Sequence, residues 1–214
     1  MNNINEFIDH TRLKSNTTVT DIENLTLEAK THNFKSVCVN PYYVELAKHY
    51  LKDTNVKIAC VVGFPLGANT IDTKVFETKQ AIKDGADEID LVMNIGAFKS
   101  QNYDYVLKEI NAVCDEANTI VKVIVETSEL TRDELKTACE IINKSKAQFM
   151  KTSTGFSSSG ANVDDVKFMR KHLNKDKQIK ASGGIKTYEF AQELINAGAT
   201  RLGTSSGVQI VKHD

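Results

Sequence analysis

The segment KDGADEIDLVMN (residues 83–94) decides the fold, because it contains a helix end, a glycine and a buried strand in that order. Gly85 follows a run with helical character, at the point where a chain leaving a helix needs a residue that tolerates a positive φ. The strand EIDLVMN (88–94) comes directly after it. The segment NAGATRLGTS (196–205) repeats this order around Gly198. Both segments indicate helices that lead directly into strands.

Eight runs rich in β-branched residues recur along the chain and predict eight strands. They are EFIDHT (6–11), SVCVN (36–40), KIACVVGF (57–64), EIDLVMN (88–94), VKVIVE (121–126), FMKTST (149–154), IKASGG (179–184) and RLGTS (201–205). Helical segments lie between them. Their predicted starts are the capping boxes of Thr20 with Glu23 and Thr131 with Glu134, and Asn162 followed by Asp164 and Asp165.

Strict alternation of strand and helix predicts an α/β protein with a parallel sheet, either open and doubly wound or closed. The count of eight favours a closed (β/α)8 TIM barrel, forming a single domain over residues 1–214. Against closure, the chain is short for such a barrel, and only SGVQIVKHD (206–214) remains for a last helix. Against the open sheet, the first strand FIDHTRLK (7–14) is not followed by G-x-G-x-x-G.

Composition narrows the partners to small molecules. The 214 residues are 41% hydrophobic with a net charge of −1 and no basic block, so nothing indicates nucleic-acid binding. Neither a membrane-length apolar run nor a signal-peptide pattern is present, which predicts a cytosolic protein. Four separated cysteines have no metal-ligand spacing and are interpreted as reduced core thiols. They are Cys38, Cys60, Cys114 and Cys139.

Three charged residues are predicted to point into the barrel. In EIDLVMN the apolar residues alternate with Asp90, which therefore faces inward. The same alternation turns Lys180 of IKASGG inward and, more weakly, Lys151 of FMKTST. A strand lysine by itself usually reaches water, as we expect for Lys122 at the bottom of the barrel. Two lysines on neighbouring strands, each before a glycine turn, favour a shared site instead.

Crowded ammonium groups in a site of low dielectric lower the pKa of one of them and produce a nucleophilic amine. Such an amine forms a Schiff base with a carbonyl, and the iminium accepts electrons when a neighbouring carbon–carbon bond breaks. Asp90 could move protons nearby or simply neutralise the lysines, and the pattern alone does not separate these roles.

Glycine and hydroxyl residues cluster at the ends of the sixth, seventh and eighth strands. In this fold such loops bind phosphate, because backbone N–H groups approach an anion only where side chains are small. The predicted substrate-phosphate residues are Thr154, Gly155, Gly183, Gly184, Gly203, Ser205 and Ser206.

Several long blocks resemble the deoxyribose-phosphate aldolase family. They are FIDHT, SVCVNP, VVGFPLGANT, GADEIDLVMNIG, FMKTSTGF, KASGGIKT and GATRLGTSSG, in the family's order from residue 7 to about residue 209. The resemblance implies a class I aldolase without metal or other cofactor. Its reaction is the reversible cleavage of 2-deoxy-D-ribose 5-phosphate to glyceraldehyde 3-phosphate and acetaldehyde in deoxyribonucleotide catabolism. It also implies a homo-oligomer, a dimer or tetramer.

The resemblance also implies residue roles. Lys151 would form the Schiff base, Lys180 would lower its pKa, and Asp90 would relay protons. Cys38 would lie near the small-aldehyde end of the pocket, with core packing as its main role.

The chain departs from the family pattern in two places. Arg12 stands where an apolar residue is usual, and no tyrosine follows Asp214 at the C-terminus, where some members use one in proton transfer. His10 is interpreted as a structural residue of the first strand. Two rival functions stay open: a Schiff-base lyase for another sugar phosphate, and a phosphate-binding barrel without catalysis.

Overall fold

Eight parallel strands close into a barrel in the computed structural model, which describes residues 4–213. The strands are β1 (Ile8–Arg12), β2 (Ser36–Val39), β3 (Lys57–Val62), β4 (Glu88–Val92), β5 (Ile120–Ile124), β6 (Phe149–Lys151), β7 (Gln178–Ser182) and β8 (Arg201–Thr204). Each strand pairs with the next, and β8 pairs with β1 through Asp9 and Gly203. The predicted closed barrel is therefore confirmed, and the open sheet was the wrong alternative.

Helices follow the strands and cover the outside of the barrel. They are α1 (Val19–Thr31), α2 (Val44–Tyr50), α3 (Ile71–Asp84), α4 (Ile95–Lys99), α5 (Tyr103–Ala117), α6 (Arg132–Lys144), α7 (Val163–His172), α8 (Tyr188–Asn196) and α9 (Gly207–Lys212). The last helix, α9, has six residues. Within residues 4–213, no helix combines the length and apolar character needed to cross a membrane.

Helix ends agree with the sequence except at α1. Gly85 closes α3 with φ +109°, and the predicted Thr131 box starts α6. The α1 box was predicted two residues too late, because the capping residue is Thr18 and its partner is Asp21. Asp21 also binds Arg12 at 2.5 Å, which ties the start of α1 to the end of β1.

The two faces of each strand separate apolar packing from charge. Outward residues such as Ile89 and Leu91 are fully buried in the layer between the strands and the helices. Inside the barrel, a small apolar cluster of Leu13, Cys38 and neighbouring residues occupies the side formed by β2 and β3. The rest of the interior carries charged side chains from the other strands, and this is where the predicted site lies.

Candidate active site

Asp90, Lys151 and Lys180 meet inside the barrel. One carboxylate oxygen of Asp90, Oδ2, lies 2.7 Å from the Nζ of Lys151 and 2.7 Å from the Nζ of Lys180. Register explains the meeting, because Lys151 of β6 is directly paired with Lys180 of β7. Asp90 and Lys180 are fully buried and Lys151 is 2% exposed. The structure thus brings together the three residues that the strand patterns pointed inward.

The two lysines differ in pKa although they share a carboxylate. Burial lowers the pKa of Lys151; Asp90 opposes this shift and the charge of Lys180 adds to it. Burial acts on Lys180 as well, but Asp9 at 2.5 Å and Asp90 together raise its pKa. Asp90 stays ionised despite burial, because three lysines around it hold its pKa well below the ordinary value. Lys151 is therefore the amine that most readily loses its proton.

Lys122 does not reach water, contrary to the prediction for it. Its side chain is fully buried, and its Nζ lies 2.7 Å from Glu88 and 2.8 Å from Asp90. Two inward carboxylates on the neighbouring strand β4 compensate for the loss of hydration. Arg201 of β8 in turn contacts Glu88, at 2.9 Å.

A cavity of about 430 Å³ opens at the carboxyl ends of the strands, and Lys151 lies in its wall. Every predicted phosphate-binding residue also lines it: Thr154, Gly155, Gly183, Gly184, Gly203, Ser205 and Ser206. Asp90 and Lys180 are not in the wall; they lie behind Lys151, in contact with each other. The cavity therefore exposes one amine of the buried cluster to a ligand.

The sequence did not assign other parts of the wall to the site, although Arg12 was expected at the rim and Ser182 and Thr204 lie in the predicted glycine and hydroxyl clusters. These parts are Thr11, Arg12, Leu13 and Lys14 after β1, together with Phe156, Ser182, Ile185, Lys186 and Thr204. The available signal was position, since each lies at or just after the carboxyl end of a strand. Lys14 and Lys186 matter most, because both are exposed cations beside the glycine loops.

The glycines of the wall have different roles. Gly183 and Gly184 have φ of +91° and +76°, and a Cβ on Gly184 would have no neighbour within 4 Å, so this loop leaves room for a ligand. At Gly203 the space is already filled. A Cβ there would lie 2.9 Å from the Cβ of Ser182 and 3.1 Å from the Cε of Lys180. Because Gly203 has no side chain, the side chain of Lys180 can run past this position.

Thr154 is held by a carboxylate that the sequence did not identify. Glu126, buried with φ +55°, accepts hydrogen bonds from the Thr154 hydroxyl and from its amide at 3.2 Å. Burial raises the pKa of Glu126, against the effect of these bonds. The Thr154 hydroxyl also accepts from the Phe156 amide. The Thr154 hydroxyl proton is used in the bond to Glu126, so this hydroxyl can act towards a ligand only as a hydrogen-bond acceptor.

The remaining named residues lie outside the cavity wall or have structural contacts. Cys38 is fully buried, with its Sγ 3.8 Å from Asp90, and is not in the wall. His10 is buried outside the barrel interior, where its ring contacts Glu28 at 2.6 Å. The expected absence of a terminal tyrosine concerns the chain end at Asp214, which lies outside the described residues.

A buried lysine with a lowered pKa, opening into a cavity rich in glycine and cations, is the arrangement of a barrel aldolase that acts through a Schiff base. The family model of the DeoC/LacD aldolases matches residues 5–213, and the chain belongs to that family.

Curated relatives extend over the whole chain. A deoxyribose-phosphate aldolase from Caldicellulosiruptor saccharolyticus is 58% identical, covering 99% of this chain and 98% of the relative. One from Streptococcus sanguinis is 53% identical, covering 98% and 96%. Among solved structures, the deoxyribose phosphate aldolase from Aeropyrum pernix, described as a tetramer, superposes with a TM-score of 0.91 at 29% identity over 98% of this chain and 89% of that one. The resemblance read from the sequence is confirmed.

Proposed function

We propose that the protein cleaves 2-deoxy-D-ribose 5-phosphate reversibly to glyceraldehyde 3-phosphate and acetaldehyde, with Lys151 as the Schiff-base residue. The observation that carries this assignment is the position of Lys151, in the cavity wall and in contact with Asp90. The family membership and the names of the full-length relatives support the substrate.

The chemistry follows from these contacts. The neutral Lys151 amine attacks the substrate carbonyl, and loss of water gives an iminium. The C3 hydroxyl of the bound sugar then loses its proton, the C2–C3 bond breaks and its electron pair enters the iminium. Glyceraldehyde 3-phosphate leaves, with C3 as its aldehyde carbon, and an enamine remains on Lys151. Protonation and hydrolysis then release acetaldehyde and restore Lys151. Asp90 contacts both lysine nitrogens, so a proton can pass between Lys180 and the reacting end of Lys151.

Positive charge in the wall supports a phosphorylated substrate. Besides Lys151, three cations line the cavity, namely Arg12, Lys14 and Lys186, and within residues 4–213 no carboxylate belongs to the lining. Arg12 is paired with Asp21, which leaves the two lysines as the cations beside the glycine and serine loops. Backbone N–H groups in such loops complete an anion site.

Reductive trapping tests the Schiff base. Borohydride added with acetaldehyde should fix an adduct on Lys151, located by tryptic peptide mass mapping. Lys186, an exposed lysine in the same wall, is the internal control and should stay unmodified. An adduct at another lysine, or turnover without any adduct, would contradict the assignment.

Two alternatives make different predictions. If the protein is a Schiff-base lyase for another sugar phosphate, borohydride would still trap an adduct on Lys151. The protein would then cleave fructose bisphosphate or a transaldolase substrate faster than deoxyribose 5-phosphate. A binding protein without catalysis would show no cleavage at all. Under the proposed function, Lys151→Met abolishes cleavage and retains phosphate binding.

The finer expectations for this chain are a reaction without metal or other cofactor, a cytosolic location and a dimer or tetramer. The Aeropyrum pernix tetramer supports an oligomer. Size-exclusion chromatography with light scattering tests it directly.

A further inference from the structure

Six charged side chains inside the barrel form a closed ring in which anions and cations alternate. In order around the ring they are Asp9, Arg201, Glu88, Lys122, Asp90 and Lys180, which returns to Asp9. The shortest contact of each neighbouring pair lies between 2.5 and 2.9 Å, and every member is at most 4% exposed. We call this set the charge ring.

The charge ring is neutral by itself, since three carboxylates face three cations. Each ring cation contacts two carboxylates. Lys151 is a seventh group that contacts one carboxylate, Asp90, which Lys122 and Lys180 already share. When every group is ionised, the barrel interior therefore holds one surplus positive charge, and Lys151 is the cation with the fewest partners.

We propose that the charge ring sets the protonation state of Lys151. Arg201 and Glu88 do not line the cavity, and they act on Lys151 only through the charge that they contribute to the ring. This inference rests on the proposed function, because it concerns the amine assigned to the Schiff base. Loss of the Lys151 proton removes the surplus charge and leaves the ring intact, whereas loss from any ring cation would open the ring.

The other groups around Lys151 do not change this balance. β2 contributes the Cys38 thiol, whose pKa burial raises, and β3 contributes the apolar Ala59 and Val61. Glu126, after β5, is a further carboxylate that interacts with the charge of Lys151; burial raises its pKa, and its oxygens accept from Thr154 rather than from Lys151. The remaining strands β1, β4, β5, β7 and β8 contribute the ring members. The pKa directions agree, since the pKa of Lys151 is lowered and that of Lys180 is raised.

Removing the charge of Arg201 and removing the charge of Glu88 should shift the pH midpoint of adduct formation on Lys151 in opposite directions. Arg201→Gln leaves the charge ring with one net negative charge, which favours the protonated Lys151 amine and raises the pH midpoint of adduct formation. Glu88→Gln leaves surplus positive charge and lowers the midpoint. For an elementary charge in a medium of effective dielectric about 20, each shift should be on the order of one pH unit. The double variant should return close to the unchanged protein.

The measurement is the initial rate of borohydride-trapped acetaldehyde adduct on Lys151 across pH 6–10, on variants whose folding is checked by circular dichroism. Arg201→Lys keeps the charge and should keep the midpoint. Lys74→Gln breaks a comparable fully buried pair with Glu109 outside the barrel interior and should leave the midpoint unchanged.

The inference is overturned if both single variants keep the midpoint of the unchanged protein, or if both midpoints shift in the same direction. If the single variants do not fold, Asp9→Asn decides, because it removes another carboxylate of the charge ring. A lowered midpoint supports the charge ring, and an unchanged or raised midpoint contradicts it. Absence of any adduct on Lys151 in the unchanged protein is a different result, because it refutes the proposed function itself.

Discussion

At the scale of single residues, the site depends on how one carboxylate is shared. Asp90 contacts Lys122, Lys151 and Lys180, so it balances less than one charge for each lysine. The protein resolves this shortage with additional carboxylates for two of the lysines: Glu88 for Lys122 and Asp9 for Lys180. Lys151 receives none, and its pKa is the one that is lowered.

Gly203→Ala should reduce catalysis without entering the substrate space. The added methyl would lie 2.9 Å from the Cβ of Ser182 and 3.1 Å from the Cε of Lys180, so Ser182 must shift and the Lys180 side chain must give by a few tenths of an ångström. We expect this to disturb the contact of Lys180 with Asp90. We expect kcat to fall about 10- to 100-fold, with a loss of about 1–3 kcal/mol in the free energy of unfolding from overpacking. Steady-state assays and urea unfolding measure both quantities.

Gly85→Ala is the matched control for Gly203→Ala. Gly85 has φ +109° at the end of α3, far from the site in the fold, so the methyl strains the backbone there. The free energy of unfolding should fall by about 1 kcal/mol or more while kcat stays unchanged. A similar loss of kcat in both variants would show that Gly203 acts only through stability.

Lys186→Met should weaken recognition of the phosphate. Losing a charged hydrogen-bond partner costs about 1.5–3 kcal/mol, so kcat/KM for deoxyribose 5-phosphate should fall roughly 10- to 150-fold. Cleavage of unphosphorylated deoxyribose should change little, because it lacks the anion. Lys171→Met, at an exposed position of α7, is the control. Equal losses on both substrates would exclude a phosphate role for Lys186.

At the scale of helices and strands, the sequence located all eight strands but extended most of them too far. Predicted strand 149–154 ends at Lys151, where its pairing with β5 and β7 stops, although the Thr152 amide still donates to the Lys180 carbonyl. Patterning identifies which residues could be strand. It does not show where pairing stops, because that depends on the neighbouring strand.

The alternating pattern predicted that Asp90 and Lys180 point inward, because the residues on the opposite face of each strand are all apolar. It failed for Lys122, since a buried lysine and one that reaches water have the same sequence pattern. Arg201 was missed for a related reason. Its contact with Glu88 crosses the barrel interior between strands that are not neighbours, and no local pattern encodes such a contact.

The start of α1 offers a direct test of capping. Thr18 caps the helix and exchanges bonds with Asp21, whereas the similar residue Thr20 lies exposed in the first turn. Thr18→Ala should reduce the free energy of unfolding by about 1 kcal/mol, and Thr20→Ala should change it by less than about 0.5 kcal/mol. Urea unfolding distinguishes them. A larger loss of unfolding free energy in Thr20→Ala than in Thr18→Ala would support the capping box predicted from the sequence, Thr20 with Glu23.

At the scale of the whole molecule, the buried carboxylates link stability to pH. The pKa of Asp90 lies well below its ordinary value of 3.8, and those of Asp9 and Glu88 are also lowered. The folded state therefore binds fewer protons than the unfolded chain in acid. The stabilisation from these groups is complete above their unfolded pKa values and is lost as pH falls through the folded ones.

Thermal unfolding should record this loss as a falling Tm below about pH 4. Glu77, Glu109 and Glu126 have raised pKa values and act in the opposite sense, stabilising the fold as pH falls through those values. Calorimetry from pH 7 to pH 2 should therefore show the main loss only in strong acid. A Tm that stays constant down to pH 2 would contradict it.

The charge ring also has a consequence for protein synthesis. Asp9 and Arg201 are 192 residues apart in sequence, and they meet only when β8 docks against β1. A ribosome makes Lys151 well before Arg201. Until the last strand arrives, Asp9 and Glu88 lack the cation that they share in the closed barrel. If the charge ring sets the protonation state of Lys151, the amine becomes reactive only when β8 closes the barrel, after Arg201 has been made.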